Sequence, residues 1–370
     1  MRIDSLSLVD FRNYADAELT LAGDGLTVVV GGNGEGKTNL VEAIAYLATL
    51  RSFRGSPGEA LVRAGRPRAV VRGRTFRGRR ELLIEAELTV AGRDRVQVNR
   101  QALRRSRDML GLFQVSVFGP DDLALVKGGP AERRRYLDDT LVGLTPALDA
   151  LRGDLERVLR QRNSLLKQAG GRLSPEVAAT LDVWDEQLAR LGSALTDHRM
   201  ALLTRLAPSV GSAYRALTGG GAAPGLEYEP SWQGPLADVL ASRRAEDLRR
   251  GLTTAGPHRD DVAVSLGRLP VRTHASQGEQ RSVALALRLA AHLLATEDAG
   301  EPPVLLLDDV FSELDPHRSA ALLASLPPGQ AVLTTAAAHL PKGVEAGHVV
   351  SVSSGRLQTR SSGEMAVVAP

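Results

Sequence analysis

Residues 31–38 read Gly-Gly-Asn-Gly-Glu-Gly-Lys-Thr, set between the apolar run Leu26–Val30 and a segment, Thr38–Leu50, whose Leu40, Ile44 and Leu47 fall at helical spacing. A strand, a glycine loop and a helix in that order leave few folds open: they form a phosphate-binding unit, built into an α/β protein. Each residue type has a reason. Glycines let backbone N–H groups turn toward phosphate oxygens, Lys37 reaches the β and γ phosphates, Thr38 offers a hydroxyl to Mg2+, and the helix N-terminus adds partial positive charge. Gly31, Gly32, Asn33, Gly34, Glu35, Gly36, Lys37, Thr38 and Asn39 are therefore the candidate ATP contacts.

A partner for the loop lies far downstream. Val304-Leu-Leu-Leu-Asp308-Asp309 is an apolar strand ending in two carboxylates. Asp308, with Thr38, is the candidate metal residue, holding Mg2+ through its water shell. Asp309 is placed to orient or deprotonate the attacking water, on a side chain one methylene shorter than glutamate. Ser276-Gln-Gly278-Glu-Gln280 opens a helix running to Thr296, so Ser276 and the backbone of Gly278 face out from a positive helix end as a second anion site. The same residues also fit a plain N-cap and helix start. Lys37, Asp308, Asp309 and Ser276 make up the candidate catalytic set.

The stretch between these motifs changes character. Residues 51–118 alternate like an antiparallel β lobe, whereas from about 120 to 255 the pattern is helical. Leu141, Leu144, Leu148, Leu151, Leu155, Val158, Arg162 and Leu165 step by threes and fours, as do Leu181, Trp184, Leu188, Leu191, Leu195, His198 and Leu202. Separated by Ala169–Pro175, the two segments predict a short antiparallel coiled-coil hairpin reaching about 40 Å, with His198 packed near its base. An α/β pattern returns after 255. The expected organisation is one ATPase head, residues 1–118 and 256–370, interrupted by a helical arm domain, residues 119–255.

Composition narrows the chemistry. The chain of 370 residues has no cysteine, which excludes disulfides, thiolate metal sites and thiol catalysis. No apolar run approaches the roughly 18 residues of a membrane span, so no membrane partner is expected and the cytoplasm is the expected location. Net charge is only +3, yet residues 51–107 carry sixteen arginines against five acids, a local balance of +11. Such a lobe suits a nucleic-acid backbone, and Arg51, Arg54, Arg72, Arg74, Arg77, Arg79 and Arg80 are the candidate DNA contacts; a solvated arginine-rich face is the alternative.

Ser276–Gln280 resembles the signature motif of the ATP-binding-cassette ATPases, and Ser312–Asp315 resembles their D-loop. Asp10-Phe-Arg-Asn-Tyr14, Phe118-Gly-Pro-Asp-Asp-Leu123, Arg133-Arg-Arg-Tyr-Leu-Asp138 and Gly256-Pro-His-Arg-Asp-Asp261, with Leu305–Asp315, resemble the bacterial RecF family of SMC-like ATPases over most of the chain, loosely in the arm. The resemblance implies an ABC-type ATPase head with an antiparallel β lobe and an inserted helical domain. It also implies ATP and Mg2+ as cofactors, an ATP-dependent homodimer with the signature of one subunit on its partner's γ-phosphate, and binding of double-stranded or gapped DNA. Weak DNA-dependent hydrolysis would release the dimer, and RecR and RecO would be partners in directing RecA during DNA repair and the SOS response. By residue, it adds Arg12 and Asn13 as nucleotide contacts, gives Asp308 the metal, Asp309 the base and Ser276 the trans cap.

The pattern departs from the wider cassette family at two places. The switch-histidine position is Thr335, with His339 four residues on, and Gln114 fits either a glutamine-loop residue or a plain strand residue. His258 and Arg259 fit nucleotide contact or bracing, with bracing favoured. Two other readings compete: an SMC-like DNA-bridging ATPase, which needs far longer arms, and a membrane-transporter ATPase subunit, which carries a compact helical subdomain instead of paired heptads.

Overall fold

A computed structural model describes residues 1–21, 23, 25–326, 328–336 and 347–360. Strands β1 (Arg2–Phe11), β2 (Tyr14–Thr20) and β3 (Gly25–Val30) lead into helix α1 (Lys37–Thr49). Strands β4 (Arg68–Arg77), β5 (Arg80–Thr89), β6 (Arg95–Val98), β7 (Gln101–Ala102) and β8 (Val115–Phe118) follow. Next come helices α2 (Ala124–Lys127), α3 (Pro130–Leu144), α4 (Leu148–Ala169) and α5 (Pro175–Thr218), strand β9 (Pro224–Glu229) and helix α6 (Leu236–Arg250). The chain continues through β10 (Asp261–Leu266), β11 (Leu269–Pro270), α7 (Val271–His274), α8 (Gln277–Ala299), β12 (Val304–Asp308), α9 (Pro316–Ser325), β13 (Gln330–Thr335), β14 (His348–Ser353) and β15 (Arg356–Arg360).

Two compact units result. The first comprises Met1–Asp122, Ser212–Gly221 and Arg281–Pro370; the second comprises Leu123–Gly211 and Ala222–Gln280. In the first unit one sheet has the order β15-β14-β3-β13-β12-β8, parallel throughout except for the β14–β15 hairpin. Buried on both faces, its strands read as unbroken apolar runs; Val304 to Asp308 are all buried. A second sheet, β2-β1-β4-β5-β6-β7, is antiparallel and supplies a β lobe, but unlike the expected 51–118 lobe it takes in β1 and β2 and leaves β8 to the parallel sheet. Its strands alternate instead: Leu82, Ile84, Ala86 and Leu88 of β5 are buried while the residues between them are half-buried.

Helix α1 joins the two sheets. Leu40, Val41, Ile44 and Leu47 are fully buried and belong to one core with Ile3, Leu6 and Leu8 of β1, Val71 of β4, and Val304, Leu306 and Val332 of the parallel sheet. A Cβ at Gly73 of β4 would stand 2.5 Å from Leu47, so glycine lets the antiparallel sheet press onto the helix there. A helix apolar on every side is enclosed, and this enclosure fixes the loop that precedes it.

In the second unit α4 and α5 form the expected pair, linked through residues 170–174, but a third helix completes the packing. Leu166 of α4, Leu181 of α5 and Leu248 of α6 share a small core. Arg162, fully buried, donates to Asp185 at 2.6 Å, to Asp247 of α6 at 2.7 Å and to Thr253 at 2.9 Å. Removing one partner from such a buried network costs about 3–5 kcal/mol. The seam reading slips at residue 198: His198 is exposed and Arg199 is buried, because the inward face steps by four from Leu195 to place Arg199 on Asp138. The observed boundary also differs from the expected one. Residues 256–280 cluster with the helices, since β10 pairs with β9 and Arg133 of α3 donates to both carboxylate oxygens of Asp261 at 2.7 and 2.9 Å.

Candidate functional site

Strand register assembles the site in the first unit. Within the parallel sheet Thr334 of β13 lies opposite both Asp308 of β12 and Val29 of β3, and Thr335 lies opposite Val30. The loop leaving β3 and the carboxylates ending β12 therefore meet at one edge, where open α/β sheets place their ligands.

The loop itself is tightly braced. Gly36, at φ 117°, caps α1, and its carbonyl accepts the Tyr14 hydroxyl at 3.0 Å. Lys37 Nζ donates to the carbonyls of Gly31 at 2.8 Å and Gly32 at 2.7 Å, which draws the loop around the ammonium group. A Cβ at Gly31 would lie 2.5 Å from the Val352 carbonyl, and one at Gly36 would lie 2.5 Å from Asn13 Nδ2. Gly32, Asn33 and Gly34 are exposed or nearly so along the rim.

Across the edge, Thr38 Oγ1 donates to Asp308 Oδ1 at 3.0 Å, and Thr334 Oγ1 donates to the same oxygen at 2.7 Å. Burial holds the Asp308 carboxyl above the usual carboxylate range; hydrogen bonds from Thr334 and Thr38 and the charge of Arg54 oppose the rise, while Asp309 adds to it. A carboxylate whose charge is disfavoured in this way gains from a cation, and the Thr38 hydroxyl with Asp308 offers the hard oxygen donors that suit Mg2+. Asp309 takes a left-handed conformation at φ 50°, its N–H donates to Thr334 Oγ1 at 3.0 Å, and its Oδ1 is buried without a hydrogen-bond partner. A buried carboxylate oxygen left without a donor is costly unless it serves a bound group.

The remaining candidates sort into three groups. Arg12 and Asn13 lie at the loop with their side chains engaged by protein. Arg12 donates twice to fully buried Glu42 at 2.8 Å and also to Ser56 and the Ala60 carbonyl, while Asn13 donates to the Glu35 carbonyl at 2.8 Å and accepts from Asn39 at 2.8 Å. Arg54, expected on DNA, reaches Asn39 Oδ1 at 3.4 Å and is felt electrically at Asp308, which places it at the nucleotide edge. Gln114 precedes β8, whose Val115 pairs with Val304, so it stands at the far end of the strands from Asp308. Gly119, at the near end, would bring a Cβ within 3.9 Å of Asp308. His339 lies outside the described residues. Sequence reasoning does not find roles for Thr334, Glu42 or Tyr14; strand register gives Thr334 its place, and contacts with Arg12 and the Gly36 carbonyl give Glu42 and Tyr14 theirs.

The second unit holds Ser276. Its hydroxyl donates to Glu279 Oε2 at 2.8 Å, its N–H donates to that oxygen at 2.7 Å, and Glu279 N–H donates back to Ser276 Oγ at 3.3 Å. This reciprocal capping box starts α8, with Ser276 exposed and Gly278 half-buried on the first turn. The Arg133–Asp138 and Gly256–Asp261 motifs are tied together in this unit: Arg134 donates to the Asp260 carbonyl at 2.6 Å, and Arg199, which also holds Asp138, donates to the Pro257 carbonyl at 2.7 Å. His258 Nε2 bonds the Thr253 carbonyl at 3.1 Å, and burial pushes its ring down to about 4, so it is a neutral brace.

Several arginines of the lobe are engaged by protein partners. On the open face of the antiparallel sheet, Arg72 pairs with Glu85 across the strands and Arg68 pairs with Glu87 at 3.2 Å. Arg77 donates to the Gly111 carbonyl at 3.0 Å and lies 3.6 Å from Glu301. Arg51, Arg74, Arg79 and Arg80 are exposed, the last two in and beside the β4–β5 turn.

The chain is similar to known proteins over most of its length. Residues 2–337 match the RecF/RecN/SMC N-terminal domain family. A DNA replication and repair protein RecF of Streptomyces avermitilis is 45% identical over 376 residues, spanning 97% of this chain and 100% of that protein. The RecF of Frankia alni is 46% identical over 355 residues, 91% of this chain and 93% of its own. The solved structure of the recombination mediator protein RecF-ATP of the RecFOR pathway superposes with a TM-score of 0.89 at 30% identity, over 97% of both chains. An Smc head bound to the C-winged helix domain of ScpA shares the fold, at 18% identity and a TM-score of 0.57 over 98% of both chains.

Proposed function

This chain belongs to the RecF family of DNA replication and repair proteins, and from that premise we propose that it is a DNA-dependent ATPase whose ATP-bound form is a DNA-holding dimer. Its fold is that of an ABC-type, SMC-like ATPase head. ATP is the substrate, the backbone N–H groups of the loop with the Lys37 side chain cradle its phosphates, and Thr38 and Asp308 would hold Mg2+. When bound, Mg2+ supplies neutralisation of the charge that builds on the β and γ phosphates. Lys37 exchanges its loop carbonyls for phosphate oxygens, Thr334 fixes Asp308, and Asp309 orients the attacking water and takes its proton.

Ser276 then acts on the nucleotide of the other subunit. On exchanging its bond to Glu279 for phosphate, the Ser276 hydroxyl joins the positive end of α8 in meeting a γ-phosphate. Turnover is slow, because no histidine follows β13 directly and Asp309 is short, so hydrolysis serves to release the dimer. On double-stranded or gapped DNA the dimer works with RecR and RecO to direct RecA.

The observation that carries this reading is the meeting of Thr38, Asp308 and Thr334 on one carboxylate oxygen beside the unpartnered Oδ1 of Asp309. The test is retention of gapped duplex DNA with and without ATP and Mg2+. Wild type retains DNA only with ATP, and Lys37→Met loses that dependence together with ATP binding. Equal retention without nucleotide contradicts the reading.

A further inference from the structure

Glu35 occupies a place that the phosphate-loop pattern leaves open, and a carboxylate is an awkward choice there. The loop receives a polyanion, and a free carboxylate beside its N–H groups both repels phosphate and competes with it as an acceptor. The structure engages one oxygen of this carboxylate outside the loop, while Oε1 stands beside Gly32, 3.9 Å from where a Cβ there would lie. Oε2 of Glu35 accepts the N–H of Ser354, in the two-residue turn between β14 and β15. The Glu35 carbonyl accepts the N–H of Gly355 at 3.3 Å and Nδ2 of Asn13 at 2.8 Å.

This junction is close and shaped for its purpose. Ser354 at φ 48° and Gly355 at φ 73° are both left-handed, as a type I′ hairpin turn requires. A Cβ at Gly355 would stand 2.7 Å from the Asn13 carbonyl, so nothing larger than glycine fits against the β1–β2 turn. Phosphate loop, β1–β2 turn and β14–β15 turn thus interlock through Glu35, Asn13 and Gly355.

We propose that the β14–β15 turn is a latch on the phosphate loop, with Glu35 as a positioning residue whose carboxylate is kept off the loop's N–H groups by the Ser354 N–H. The proposal rests on the nucleotide reading above. Breaking the latch frees the carboxylate to take donors that the triphosphate needs, so ATP affinity falls while the hydrolytic set around Asp308 stays in place. Removing the carboxylate as well takes away the competitor.

That order of effects defines the test, read by titration of the full-length chain with a fluorescent ATP analogue and by hydrolysis at saturating ATP. Ser354→Pro deletes the N–H and cannot take the φ of 48° that the turn uses, so it opens the latch and weakens binding at least about tenfold, the value of one charge-assisted hydrogen bond, with turnover at saturation held. Ser354→Gly keeps the N–H and the left-handed turn, and binds like wild type. Adding Glu35→Ala to Ser354→Pro restores affinity to within about threefold of wild type. Gly355→Ala breaks the same junction by collision with Asn13 and serves if the proline variant does not fold. A folded latch variant with wild-type affinity, or a double variant no tighter than Ser354→Pro, overturns the proposal. A wild-type chain that binds no ATP overturns the nucleotide reading instead.

Discussion

Thr334 donates its hydroxyl to Asp308 at 2.7 Å and accepts the backbone N–H of Asp309 at 3.0 Å, so one threonine fixes the first carboxylate and the backbone that carries the second at the edge of the parallel sheet. Valine matches its shape and removes both bonds. Thr334→Val is expected to slow ATP hydrolysis roughly ten- to a hundredfold, as loss of an aligned base and metal residue does. Binding of ATP stays within about twofold, because the loop glycines and Lys37 are untouched. Single-turnover hydrolysis beside equilibrium binding separates the two, and a variant that hydrolyses normally removes Thr334 from the mechanism.

DNA affinity is expected to follow unpaired charge and not arginine count. Arg79→Glu with Arg80→Glu reverses exposed charges at the β4–β5 turn and lowers the slope of log affinity against log salt by about one for each phosphate that is no longer engaged. Arg68 and Arg72 are matched by Glu87 and Glu85 on the neighbouring strand. Neutralising both of those pairs together leaves the slope within error. The opposite ranking, measured by fluorescence anisotropy over a salt series, assigns DNA to the open face of the sheet.

Acid should destabilise the fold through two histidines. Burial pushes His258 and His292 down to about 4, from 6.5 in an unfolded chain. Both are neutral in the fold, so the unfolded chain binds more protons between these values. Their contribution is complete above pH 6.5 and is lost as pH falls toward 4, at about 3 kcal/mol per histidine. Urea midpoints from pH 7.5 to 5 test this: His292→Gln, which has no proton to take up, shows a shallower fall than wild type. Parallel slopes refute the assignment for His292.

The phosphate loop, the Val304–Asp309 strand and the Ser276 helix start are legible in the sequence because each is local: the spacing, the glycines and the flanking apolar runs carry the whole signal. Asp309 is legible as a position, but its left-handed backbone and unpartnered Oδ1 are not. Thr334 is invisible for a different reason. A threonine near the end of a strand means nothing until parallel register sets it opposite Asp308. Arg72 looks like a free cation in the sequence because its partner, Glu85, is thirteen residues away and meets it only through the β4–β5 hairpin. The helical segments read as a two-helix hairpin because heptads report apolar stripes; α6 joins through Arg162 and Asp247, an ion pair that no stripe reveals. The heptad pattern puts His198 in the seam, one residue short of Arg199, because a step of four replaces the expected step of three there.

Sedimentation velocity of Asp309→Asn with Mg2+, with and without ATP, tests the central claim most directly, since slowed hydrolysis lets the nucleotide-bound state accumulate. The expected species are a monomer without ATP and a dimer with it. Adding Ser276→Arg is expected to return the chain to a monomer while ATP binding persists, because the arginine blocks the helix end that meets the partner's γ-phosphate. A double variant that still dimerises with ATP, or an Asp309→Asn chain that stays monomeric at saturating nucleotide, contradicts that claim.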